Sequence, residues 1–357
     1  MLGSMHPFES NLEALRMAEA LDVDSLWLPD HLLGLDHPEL RAESPYAQMV
    51  EDPDGWLDPF CVSTALAMQT ELPLGINVTD GTRRRAPDVA RTALTLQHMC
   101  RGGFNLGVGS GEAESLVPFG YPFDKPVGRL EEFLVELRCL LDTGRMPQGG
   151  PARTGIPLES GMGKPQIWVG GQGPRMLRLT GQYADGWLPA WSMEPRDYAA
   201  KRSVIARHAE AAGRRTPECG LFRTIFLGES RERLAEALER QPIAKLNALF
   251  IEGALWERHG IEHPAGAHSR GLVDVVVHDL DAEELRALAP RIPFELIEEF
   301  YTFGNADEVA QRFETYGPAG LEHLVLAVGM GILGGGEAEI ERCTAEFARL
   351  RKMLGEI

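Results

Sequence analysis

The sequence predicts an α/β protein, a single (β/α)₈ barrel with insertions whose first strand is truncated or missing. Three observations carry this expectation. Short apolar runs alternate along the chain with amphipathic segments of helical period. Polar or glycine-rich turns follow the C-terminal ends of those runs, the face on which a parallel barrel builds its pocket. The length of 357 residues suits one such barrel, which spans roughly 200 to over 400 residues.

The elements read in order as follows. Only Met1-Leu2 could belong to a strand before Gly3-Ser4-Met5-His6-Pro7 turns the chain, so the first strand looks clipped. A start placed too late, or a cut into the chain, is expected there. Such a gap leaves unpaired backbone groups on both neighbouring strands, so an N-terminally extended protein should be the more stable one. Asn11 to Leu21 carries Leu12, Leu15, Ala18 and Leu21 on one helical face, and Leu26 to Leu28 is a buried strand that Pro29 ends. Gly34 to Gly55 is polar, holds Pro38, Pro45 and Pro53, and reads as a long loop of the kind that carries substrate contacts.

Asp58 to Gln69 is a helix, Leu72 to Val78 a strand, and Pro87 suits the first position of a helix reaching Met99. Gly103 to Gly109 is a strand running into Gly109-Ser110-Gly111-Glu112, a turn whose glycines let backbone approach a ligand. It fails as a dinucleotide fingerprint, because Glu112 stands where a third glycine should. Val127 to Asp142 is a helix, Gln166 to Val169 a strand, and Gly170 to Gly173 opens a further helix. Asp185 to Leu188 and Leu221 to Leu227 are strands, with helices over Pro195 to Ala212 and Glu229 to Arg240. Residues 241–300 break the rhythm with mixed helical pieces and four histidines, and are expected to be an insertion whose histidines line a lid or lie at its surface. Asn305 to Tyr316 is a helix, Leu324 to Val328 the last strand, and Glu337 to Leu354 a closing helix.

Composition narrows the function. Hydrophobic content of 44% and charged content of 25% are those of a protein with an ordinary core. A formal charge of −18 argues against nonspecific binding to nucleic acid or an anionic membrane. Cys61, Cys100, Cys139, Cys219 and Cys343 are scattered without a C-x-x-C pair, so neither a disulfide framework nor a thiolate metal site is indicated, and a cytoplasmic setting is expected. No apolar stretch is long enough for a membrane span. His259 and His263 lack the Glu of a metalloprotease helix, and His31 is followed by Leu32 and Leu33 rather than by the second histidine of a barrel metallohydrolase. No metal is therefore assigned.

The strand ends bring His31, Asn77-Val78-Thr79-Asp80, Glu112 and Gly170 to Arg175 to one mouth. Backbone N–H groups at a helix start favour phosphate, and Arg175 adds donors. His31 is the first catalytic candidate, although a turn capped by Asp30 and satisfied by His31 accounts for the same residues equally well. Arg83 to Arg85 either neutralise an anionic ligand or form a solvated run.

Several motifs in fixed order resemble the luciferase-like oxidoreductase superfamily. They are Pro29-Asp30-His31, Val78-Thr79-Asp80 with Arg83, Arg84 and Pro87, Leu106 to Glu112, Ile167 to Gly171, and Ala184 to Trp187. Within it the chain is similar to the branch that uses the deazaflavin coenzyme F420, and there to the phthiodiolone ketoreductase group, through Gly173 to Arg178 and Trp256 to Pro264. The resemblance implies a TIM barrel over residues 1–357 and an F420-dependent oxidoreductase acting on a small ketone or secondary alcohol. It implies that Asp30 contacts the deazaflavin, that His31 is acid or base, and that Glu112 is a second proton donor or an orienting group. It further implies a non-proline cis bond at Asn77-Val78, with Thr79 beside it, and a tail-phosphate site at Gly170, Gly171, Gln172, Gly173 and Arg175. Related enzymes are commonly homodimers. A sugar-phosphate substrate fits poorly, because Leu32 to Asp36 holds no Trp. The alternatives are an FMN-dependent monooxygenase of the same superfamily and a noncatalytic F420-binding protein.

Overall fold

The structure is a computed structural model that describes residues 1, 3–44, 50–190, 193–329 and 336–355. Leu2, half of the expected strand remnant, and residues 45–49 of the long loop lie outside the described residues. The strands are β1 (Leu26–Leu28), β2 (Leu74–Asp80), β3 (Phe104–Gly109), β4 (Gln166–Val169), β5 (Gly186–Trp187), β6 (Glu218–Leu227), β7 (Thr302–Gly304) and β8 (His323–Val328). All pairings between them are parallel, and β1 to β6 neighbour one another in chain order. Both β8 and the short β7 pair with β6, β8 along Gly220 to Ile225 and β7 at its last three residues. This nearly closed barrel is the expected (β/α)₈ architecture.

The helices alternate with the strands. They are α1 (Phe8–Ala20), α2 (Pro59–Ala67), α3 (Ala86–Met99), α4 (Ala113–Leu116), α5 (Pro126–Thr143), α6 (Pro174–Tyr183), α7 (Pro195–Ala211) and α8 (Arg231–Glu239). After these come α9 (Gly253–Arg258), α10 (Ala282–Leu288), α11 (Phe294–Glu298), α12 (Ala306–Glu314) and α13 (Glu337–Leu354). Local chemistry sets several starts. The Asp58 carboxylate accepts from the N–H groups of Phe60 and Cys61 at 2.9 and 3.2 Å, satisfying donors that the first turn of α2 leaves free. Asn305 and Glu308 form a reciprocal capping box at α12.

Strand side chains bury on both faces, which is why the runs read as continuous rather than alternating. Leu28, Ile76, Leu106, Ile167 and Val169 meet α1, α2, α3, α5 and α6 in one core. Leu221, Ile225 and Trp187 meet α7, α12 and α13 in another. Inside the barrel Trp27 and Trp168 stand edge to face with ring centroids 5.4 Å apart. Their size fills the interior that a barrel must pack to stay closed.

One seam interrupts the ring. Between β1 and β8, which do not pair, lies a cavity of about 970 Å³ lined by residues of both strands, α1 and α13. The backbone N of Met1 donates to Leu326 O at 2.6 Å at one point of it. Ser25 Oγ reaches His323 Nε2 at 3.4 Å, and the His323 ring packs on Trp27. This is the eighth strand position, where the sequence leads one to expect a gap.

Residues 242–300 form 3₁₀ and α-helical turns with their own apolar core of Leu249, Trp256, Leu285, Phe294 and Leu296, joined by Leu40 of the long loop. That loop is tied to the segment: His37 Nε2 lies 3.0 Å from Leu280 O, and Arg286 pairs with Glu43 at 2.7 Å. The surface placement expected for the histidines fails at His263, which is 1% exposed. Its Nε2 contacts Leu249 O at 3.0 Å and its Nδ1 accepts from Ala265 N at 2.9 Å, so it satisfies buried backbone. The segment ends in β7, too short to show a period in the sequence.

Candidate active site

The barrel mouth is built from the residues that follow the strands. β1 ends at Leu28, and Asp30 and His31 come next. Asp30 is 5% exposed. Arg84 holds its carboxylate with two bonds of 3.1 Å, and Arg83 lies 3.2 Å from the same group while donating to Asp30 O at 2.8 Å. Arg83 also pairs with Asp80, and Arg84 with Asp58 at 2.9 Å. Neither sequence reading of the arginine run describes this. Arg83 and Arg84 serve the carboxylates of Asp30 and Asp80, which are buried where an unpaired charge is costly, and Arg84 extends to the more exposed Asp58. Arg85 alone of the three is exposed. The Asp30 carboxylate belongs to the same network, which anchors the turn that carries His31.

His31 meets two carboxylates that follow β3. Its Nδ1 lies 3.0 Å from Glu114 Oε1 and 3.5 Å from Glu112 Oε2. The Glu112 side chain is 26% exposed and that of Glu114 1%, so Glu112 reaches toward the mouth and Glu114 stays inside. Trp56, from the end of the long loop, packs on the His31 ring at 5.0 Å between centroids. Burial alone would lower the His31 pKa. The hydrogen bond with Glu114 and the charges of Glu112, Glu114 and Asp30 overcome that and push it up to about 9. Burial, reinforced by Glu114 and Asp80, holds Glu112 above the ordinary carboxylate range, against the lowering pull of His31 and Arg83.

The three donor atoms of His31, Glu112 and Glu114 lie within 4.8 Å of one another, close enough to share a cation, which the sequence reading did not anticipate. A proton between Nδ1 and Glu114 Oε1 satisfies the closest pair, whose spacing is that of a hydrogen bond.

The peptide bond between Asn77 and Val78 is cis and non-proline, at the position the resemblance implies. The β2–β3 register shifts between Ile76 and Thr79 at the same place. The glycines of β3 serve this packing. A Cβ at Gly107 would come 2.0 Å from Ile76 O, and one at Gly109 2.8 Å from Val78 Cγ2. The space beside Gly107 and Gly109 is thus taken by the neighbouring strand.

On the far side of the mouth Gly170 follows β4, and a Cβ there would lie 3.8 Å from Val78 Cγ1. Trp187 Nε1 donates to Gly171 O at 2.9 Å, fixing that turn. Around Gly173, which precedes α6, an added Cβ meets nothing within 4 Å, so this helix start is open. Arg175 is half exposed and bonds Glu131 at 2.6 and 3.0 Å, with Arg178 on the other oxygen of that carboxylate. An anion at the helix start would compete with Glu131 for Arg175.

Sequence reasoning missed Glu114 and Trp56. Glu114 stands two residues after Glu112 in an ordinary polar turn, and its 83-residue separation from His31 hides the contact. Trp56 carried one signal, an indole at the end of a polar loop.

The luciferase-like monooxygenase family matches residues 1–323. A phthiodiolone/phenolphthiodiolone dimycocerosates ketoreductase of Mycobacterium tuberculosis is 35% identical over 343 residues, covering 90% of this chain and 87% of that protein. The coenzyme F420-dependent tetrahydromethanopterin reductase of Methanopyrus kandleri superposes with a TM-score of 0.69 at 19% identity, covering 97% of this chain and 96% of that one. An F420-dependent secondary alcohol dehydrogenase solved with an F420-acetone adduct gives a TM-score of 0.67 at 18% identity, covering 98% and 97%. Among the described residues no helix is long and apolar enough to cross a membrane. Matched over most of its length by the family and by a relative at this identity, the chain belongs to the luciferase-like monooxygenase family of oxidoreductases.

Proposed function

We propose that this protein is an F420-dependent oxidoreductase that interconverts a ketone and a secondary alcohol, with His31 as the general acid and base. The observation that carries the reading is a histidine at the barrel mouth whose Nδ1 lies 3.0 and 3.5 Å from two carboxylates, which favour its protonated form. The name of the mycobacterial relative supports a ketone as substrate class.

Buried polar atoms without partners fit a bound heterocycle. Thr79 Oγ1 and Trp56 Nε1 are both of this kind, and unsatisfied polar groups at such depth call for a ligand or water. Asn77, Val78 and Thr79 would sit under the ring, while Gly170, Gly171, Gln172, Gly173 and Arg175 would hold the phosphorylated tail at the open start of α6. When bound, F420 supplies the hydride.

The chain supplies the proton. As a carbonyl carbon is reduced, negative charge develops on its oxygen, and the imidazolium of His31 gives that oxygen a proton. Glu112, reaching toward the mouth, stands beside the ring as a further proton donor that solvent can reload. In the reverse direction neutral His31 takes the proton from the alcohol. Asp30, clamped by Arg83 and Arg84, keeps the His31 turn from moving during either step.

The test is equilibrium binding of oxidised F420 against FMN by fluorescence, followed by turnover with a panel of ketones and secondary alcohols. Selective F420 binding with ketone reduction is expected. Preference for FMN with oxygen consumption would transfer the protein to flavin monooxygenase chemistry. Binding without turnover of any substrate would leave an F420-binding protein, and binding of neither would overturn the reading.

A further inference from the structure

The His31 cluster holds two carboxylates, yet they stand in different surroundings. Glu114 has almost no exposed surface, and its Oε2 is a buried atom with no partner. A buried carboxylate with one oxygen unsatisfied persists only beside a compensating charge, and His31 is the cation in contact with it. The next residue grips the same turn: Ser115 Oγ accepts from Leu32 N at 3.3 Å. Two consecutive residues of the short α4 thus hold two consecutive residues after β1, one through a side chain and one through backbone.

We propose that Glu114 is the positioning residue of His31, holding Nδ1–H so that Nε2 is the nitrogen that exchanges the proton with substrate. This rests on the reading of His31 as the acid. Among the described residues Nε2 has no hydrogen-bond partner, and it is not a buried unsatisfied atom, so it remains open to the mouth. Pairing of one ring nitrogen with a carboxylate sets which nitrogen does the chemistry. The proton leaves Nε2 for the substrate oxygen, and Nδ1 keeps its own throughout. Glu112, at 3.5 Å and more exposed, is left for exchange with solvent.

The groups facing His31 are Glu112 from the turn after β3, Glu114 from α4, Asp30 from its own turn and the Trp56 ring. Asp80, at the end of β2, and Arg83, from the turn that follows, act on Glu112 from behind. Removing the charge of Glu114 while keeping its shape isolates its part.

The test is an NMR titration of the His31 imidazole in the full chain without cofactor, with the resonance assigned from His31→Gln. In the unaltered protein the midpoint is expected well above the ordinary histidine value. Glu114→Gln is expected to lower it by about 1–2 pH units, the usual effect of one carboxylate in contact. Glu114→Asp retains the charge and should restore most of the shift. In turnover, the alkaline limb of the Glu114→Gln profile should move by the same amount while the dissociation constant for F420 stays put. An unchanged His31 midpoint in folded Glu114→Gln overturns the proposal, and so does a Glu112→Gln protein showing the larger drop. Should Glu114→Gln not fold, the comparison of Glu114→Asp with Glu112→Gln decides on the same terms. The titration needs neither F420 nor substrate, so its result stands even where the proposed activity fails.

Discussion

Arg84 places two nitrogens 3.1 Å from the two carboxylate oxygens of Asp30, and this fork holds the turn on which His31 stands. Arg83 completes the arrangement with side chain and backbone contacts to the same residue. Cation and anion are both largely withdrawn from water, so the pair matters through what its loss would leave behind. Asp30→Asn leaves Arg83 to Asp80 and Arg84 to Asp58 and removes the charge-assisted bonds of the fork, so it is expected to destabilise the fold by about 1.5–3 kcal/mol. Chemical denaturation measures it. A loss below about 1 kcal/mol would mean that the pair behaves as a surface bridge.

Replacement of the proposed acid separates chemistry from binding. His31→Ala should lower turnover by roughly 10²–10⁴ with F420 affinity unchanged, since the ring gives a proton and holds no part of the cofactor tail. Steady-state kinetics beside a fluorescence titration gives both numbers. Undiminished turnover removes His31 from the mechanism.

The raised pKa of His31 gives pH dependence a sign in two separate measurements. Ketone reduction needs the imidazolium, so its rate should hold through neutral pH and fall above about pH 9, while alcohol oxidation should climb toward the same value. Stability follows linkage: with the folded value raised from 6.5 to about 9, the contribution is whole below pH 6.5 and is lost as pH rises through about 9. The denaturation midpoint of the unaltered protein should therefore decline more over that window than that of His31→Gln. Parallel curves would show that the ring titrates as it does in the unfolded chain.

Arg175 is shared with Glu131, and that competition is measurable. Arg175→Ala should weaken F420 binding about tenfold or more, the worth of a charge-assisted contact. Glu131→Gln frees the guanidinium and should tighten binding by up to about fivefold, the strength of an exposed ion pair. Equal affinity in all three proteins would place the tail phosphate elsewhere.

Much of this arrangement was legible in one dimension because barrel geometry sends strand ends to one face. His31 after Pro29, the cis bond at Asn77-Val78 and Gly170 after β4 all follow from strand termini plus a resemblance carried by local motifs. What stayed hidden depends on contacts between distant segments. Glu114 lies in a turn that reads as plain polar sequence, and only the fold brings it against His31. The fate of Arg84 is undecided for the same reason, because its partners Asp30 and Asp58 precede it by more than 20 residues, and Arg83 likewise reaches back to Asp30 while pairing locally with Asp80. Among the glycines of the turn that suggests a ligand, Gly109 is also held small by Val78 of β2, a contact no local pattern announces.

The seam has a mechanical meaning. Elsewhere round the ring neighbouring strands are joined by backbone ladders, which part only when several bonds break together. Among the described residues the connection between β1 and β8 is a clasp of side chains, Ser25 and Trp27 against His323, together with the backbone bond from Met1 to Leu326. A clasp can loosen one contact at a time, so the wall should breathe there first and let solvent in beside the two tryptophans while the rest of the circuit holds its register.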